Sequence, residues 1–179
     1  MKIGRLGAEE LLSYDAAHLA QWGLECIALR EIAQIFAVDG LMLSGEFPEQ
    51  LMLSRAWCNE ILRAAKQDLP IWGCGYGAYL LTKGKPLSVL DCQGWFAPSN
   101  RESVLFLTVP LWEERFAVRF FQHVHLEQPA PNLAVLAKVK NQPVILRQGN
   151  VLACTFLPSQ ANDSGIYGYF AEMVGVNQR

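Results

Sequence analysis

Leu69-Pro70-Ile71-Trp72-Gly73-Cys74-Gly75-Tyr76-Gly77-Ala78-Tyr79-Leu80-Leu81-Thr82 is the stretch that decides the fold. Its first five residues are an apolar run bounded by a turn, which suits a strand buried on both faces. Gly73, Gly75 and Gly77 then punctuate a tight turn, and Ala78 to Thr82 read as a short helix. A strand, a glycine-flanked turn and a helix in that order make a nucleophile elbow, whose central side chain stands above the sheet. The frame is Gly-x-nucleophile-x-Gly. Here the centre is Gly75, which has no side chain, and Cys74 lies one residue early, where it is read as a buried structural cysteine. A shifted elbow that makes Cys74 the nucleophile is the weaker alternative.

The same alternation runs outward from this stretch. On its N-terminal side, Lys2 to Leu6 read as a strand, Ala8 to Trp22 as a helix and Glu25 to Leu29 as a strand. Gly40 to Leu43 read as a second buried strand, and Pro48 to Lys66 as a helix with Trp57, Ile61, Leu62 and Ala65 inward. On its C-terminal side the region from Leu87 to Leu136 reads mostly as strands: Val104 to Val109, Ala117 to Leu126 and Leu133 to Val139. Pro143 to Leu146 and Val151 to Phe156 flank the turn Gln148-Gly149-Asn150, a hairpin signal. Ser164 to Val174 close as an amphipathic helix. Repeated strand–helix units imply an α/β fold of three layers: a doubly wound, mostly parallel sheet with helices on both faces, flavodoxin-like, in one domain spanning residues 1–179. In such a sheet the ligand site lies at the carboxyl ends of the strands, where Ser44-Gly45-Glu46 and Gly73 to Gly77 both fall.

Composition narrows the classes. The chain has 179 residues, 51% hydrophobic and 18% charged, with a formal net charge of -2. That is a core-forming composition, and no basic run suggests nucleic-acid binding. No window approaches ~18 apolar residues in a row, so no membrane span is expected. Cys26, Cys58, Cys74, Cys92 and Cys154 are scattered without a CxxC pair, which fits a reduced, cytoplasmic protein with neither a disulfide framework nor a zinc site. His123 and His125 stand two apart on an expected strand and would share a face, but a third metal ligand is missing. No metal and no cofactor are expected. Phe47, Trp72, Tyr76, Tyr79 and Trp95 gather around the elbow in sequence and are read as filling it, or else as lining a small pocket. Glu113, Glu114 and Arg115 read as a solvated turn.

Five segments resemble the class I glutamine amidotransferase family, and within it the glutaminase subunit of pyridoxal 5'-phosphate synthase. They are Met1-Lys2-Ile3-Gly4, Asp39-Gly40-Leu41-Met42-Leu43, Leu69-Pro70-Ile71-Trp72-Gly73, Arg147-Gln148-Gly149-Asn150-Val151-Leu152-Ala153 and Tyr169-Phe170-Ala171-Glu172-Met173-Val174. Order and spacing match along nearly the whole chain. The resemblance implies a Cys-His-Glu triad that hydrolyses glutamine through a thioester. Its cysteine falls on Gly75, its histidine on Leu157 and its glutamate on Ser159, with Pro158 keeping the register. The family's Pro-Gly-Gly-Glu-Ser loop is matched by Ser44-Gly45-Glu46-Phe47-Pro48, so Glu46 crowds the place of an oxyanion-binding backbone N–H. An Arg-Asn pair that holds glutamine falls near Gly94 and Trp95. Gly45, Glu46 and Tyr76 are the ligand-binding candidates.

The expectation is a degenerate glutaminase homologue that binds or regulates a synthase subunit of the pyridoxal 5'-phosphate synthase type. An active glutaminase supplying ammonia, or a small-ligand binder on the same frame, are the alternatives.

Overall fold

The computed structural model describes residues 1–98, 102–109, 114–121, 123–161 and 165–176. Strand β1 (Lys2–Gly7) leads through a 3-10 turn into α1 (Leu12–Gln21), then β2 (Glu25–Ala28), a second 3-10 segment (Ile32–Ala37) and β3 (Gly40–Gly45). After a third 3-10 turn (Pro48–Gln50) come α2 (Arg55–Lys66), β4 (Ile71–Gly75) and α3 (Tyr76–Leu81). β5 (Gln93–Phe96), β6 (Glu102–Val109), β7 (Glu114–Phe121), β8 (Val124–Glu127), β9 (Ala134–Val139), β10 (Gln142–Gln148) and β11 (Val151–Cys154) follow, and α4 (Gly165–Val176) is the last described element.

Seven strands form one sheet in the order β2-β1-β3-β4-β11-β10-β9. The five from β2 to β11 pair in parallel, and β10 and β9 extend the sheet antiparallel. The pleat sends alternate residues of each strand to opposite faces, and two cores result. On one side Ile3, Met42, Trp72, Cys74, Leu152 and Cys154 pack with Leu19 of α1 and Phe170 of α4. On the other, Leu41, Leu43, Ile71 and Ala153 pack with Ile61 of α2 and Leu81 of α3. This is the expected three-layer α/β sheet. Two ribbons stand apart from it, β5 with β8 and β6 with β7.

Three sequence expectations need correction. The single helix from Pro48 to Lys66 is two pieces, because residues 51–54 are not helical. The Ser54 hydroxyl accepts from the Trp57 N–H at 3.4 Å and caps α2 there, so two helix-start signals, Pro48 and Ser54, each begin their own element. The strand from Ala117 to Leu126 divides into β7 and β8, which belong to different ribbons. The stretch has no glycine or proline between the two pieces, so the sequence does not mark the change of partner. Glu114 and Arg115 open β7 opposite Val109 and Thr108 rather than forming a turn; Glu113 lies outside the described residues.

Candidate functional site: the elbow after β4

β4 and α3 meet at Gly75, whose backbone stands at φ 55° and ψ -121°. That is the strained strand-to-helix corner expected from the sequence, in a region that side chains other than hydrogen rarely tolerate. A Cβ built on Gly75 would lie 2.5 Å from the Gly45 carbonyl oxygen and 3.3 Å from Leu157 Cδ2. Gly77 is needed for a second reason: a Cβ there would collide with the Leu43 carbonyl, since α3 rides directly on β3. The parallel register Gly45↔Gly75 sets the Ser44-Gly45-Glu46 turn beside the elbow.

Leu157, which follows β11, turns its side chain onto the apex and is buried at 4% exposure. Ser159 sits half-buried in the next 3-10 turn, Pro158–Gln160. What is left at the apex is a void of about 10 Å³ between Glu46, Gly75, His123, Val124, Thr155, Phe156 and Leu157. That is room for about one water and not for an amino-acid side chain.

Cys74 faces away from this void. It belongs to the core between the sheet and α1 and α4, at 0% exposure. Burial pushes its thiol well above the ordinary range, and the neighbouring Cys154 across the β4–β11 pair adds to the rise. The Cys154 thiol donates to the Phe156 carbonyl at 3.2 Å. A thiol raised in this way is protonated near neutrality and a poor nucleophile.

Glu46 is fixed from its backbone: Gln50 Oε1 accepts from the N–H groups of Glu46 at 2.7 Å and Phe47 at 3.2 Å. Its carboxylate lies 3.6 Å from His123 Nε2. Phe47 packs on the same imidazole with ring centroids 4.9 Å apart. His123 is buried and reaches the elbow from the segment leading into β8, a partnership that no sequence spacing advertises. His125 goes elsewhere and stacks on Trp95 at 3.8 Å, with the rings 5° from parallel. The two histidines therefore have different neighbours, and no group of three metal-ligating side chains exists among the described residues.

The expected aromatic cluster also divides. Tyr76 packs with Tyr79 and Phe96, each at 5.3 Å between centroids, which raises the Tyr76 hydroxyl through burial and then through Tyr79. Trp72 lies on the opposite face of the sheet against Tyr167 and Phe170, and Trp95 is 43% exposed on β5 beside Gly94.

One polar constellation escapes the sequence reading. Arg5 Nε donates to Asp15 Oδ2 at 2.5 Å, Arg5 Nη1 donates to the Ala8 carbonyl at 2.6 Å, and the Tyr167 hydroxyl donates to Asp15 Oδ1 at 2.7 Å. Arg5 and Asp15 are both almost fully buried, so this network joins β1, α1 and α4 inside the core. An arginine among the buried residues of β1, beyond the exposed Lys2 at its start, is the one signal that hints at it.

No protein-family model matches the chain. Among curated proteins it is 27% identical to the pyridoxal 5'-phosphate synthase subunit PdxT of Thermotoga petrophila, over 97% of this chain and 100% of that protein. PdxT of Moorella thermoacetica is likewise 27% identical, over 98% of this chain and 100% of that protein. A crystal structure of a glutamine amidotransferase superposes with a TM-score of 0.84 at 23% identity, covering 97% of this chain and 98% of that one. A glutamine amidotransferase from Thermotoga maritima superposes with a TM-score of 0.63 at 12% identity, covering 99% and 95%. The chain is thus similar from end to end to PdxT glutaminase subunits and has the class I glutamine amidotransferase fold. No described helix is long and apolar enough to cross a membrane.

Proposed function

We propose that this chain is a catalytically silent homologue of the PdxT glutaminase subunit, and that it acts by docking on a synthase subunit of the pyridoxal 5'-phosphate synthase type. One observation carries the reading: the residue at the apex of the elbow is Gly75, and Leu157 packs against the point from which a nucleophile would project. Thioester chemistry needs a thiolate at the apex and a base beside it. On the alignment with the family, cysteine is replaced by Gly75, histidine by Leu157 and glutamate by Ser159. Losing members of such a constellation costs on the order of 10^4 to 10^6 in rate.

The neighbouring features support the same conclusion. Cys74 points into the opposite core, with its thiol protonated by burial. On the alignment with the family Glu46 stands at the oxyanion-binding backbone, and its carboxylate lines the void at the apex, a negative charge that would disfavour rather than stabilise an oxyanion. Among the described residues, the void of about 10 Å³ at the apex is far smaller than glutamine, and this argues equally against a repurposed small-ligand site there.

Docking on a synthase subunit rests on the full-length similarity to PdxT. The test is direct. The purified chain, alone and mixed with a synthase subunit from the same organism, is assayed for ammonia release from glutamine and for co-elution on a sizing column. Background ammonia with co-elution is expected. Turnover abolished by Cys74→Ser would establish an active glutaminase instead, and failure to co-elute with or without glutamine would remove the docking role.

A further inference from the structure

We draw no further inference here: the strongest candidate, the groove at the carboxyl ends of β1 and β2 where Met52 stands 80% exposed beside Leu53 and Trp57, carries nothing, because Arg30, the one charged side chain among the described residues that line it, already pairs with Glu9 and nothing in the structure shows what covers it.

Discussion

Replacing Gly75 by alanine asks whether the elbow still has room for a side chain. Two costs can be worked out from the structure. A non-glycine residue at φ 55°, ψ -121° costs roughly 1–3 kcal/mol in backbone strain. The added methyl would also meet the Gly45 carbonyl oxygen at 2.5 Å, and forcing atoms into a packed site costs roughly 1–3 kcal/mol more. The sum is about 2–6 kcal/mol, against a total stability on the order of 5–15 kcal/mol. For a chain of this size that lowers Tm by at least about 4 °C. Gly149→Ala is the control, because Gly149 also has a positive φ, 56°, but nothing within 4 Å of the added Cβ. Equilibrium urea unfolding of the two variants separates the terms: Gly75→Ala should be worse than Gly149→Ala by about 1–3 kcal/mol. Equal losses would refute the reasoning, because the Gly45 turn would then be yielding freely and the apex could accept a side chain at the cost of backbone strain alone.

Three further outcomes follow from buried groups. In native labelling with iodoacetamide near pH 8, Cys74 and Cys154 should stay unmodified until denaturant is added, while half-buried Cys26, raised by burial to about 11, reacts slowly; rapid alkylation of Cys74 in the folded chain would contradict its assigned place. Asp15→Asn leaves the Arg5 guanidinium buried without its counter-charge and should cost about 3–5 kcal/mol, while Tyr167→Phe removes only a hydroxyl donor and should cost about 1–3 kcal/mol; a neutral Asp15→Asn in urea titrations would show the pair is dispensable. Alkali should destabilise the fold. Burial raises Cys26 and Cys92 to about 11 and lifts Cys74 and Tyr167 further. Folded values above unfolded ones give stability that is complete below the unfolded pKa and lost as pH rises, by about 1.4 kcal/mol per pH unit for each group. The urea midpoint should therefore fall from about pH 9 upward, and a midpoint unchanged between pH 8 and pH 10.5 would count against these burials.

The three-layer sheet was legible in the chain because buried parallel strands and the helices between them follow local rules of apolar periodicity and turn chemistry. Gly40 to Leu43 and Ile71 to Gly75 carry those signals within a few residues, and so does the glycine spacing that marks the elbow. The glycine at residue 75 and the leucine at residue 157 can likewise be read without coordinates. The break between β7 and β8 was not legible, since it depends on which neighbour each piece pairs with, whereas the break at residues 51–54 carried a local sign, the Ser54 cap, that apolar periodicity alone passes over.

Which groups meet around the elbow was decided only by the tertiary structure. His123 lies 3.6 Å from Glu46 across 77 positions of sequence, and Tyr167 reaches Asp15 across 152. Nothing local encodes such distances, because they are set by strand register and by the face each pleat presents. The direction of Cys74 follows from the same geometry. One residue's shift along a strand reverses the side a thiol faces, so the fold turns it into the core and leaves the apex to a residue with no side chain.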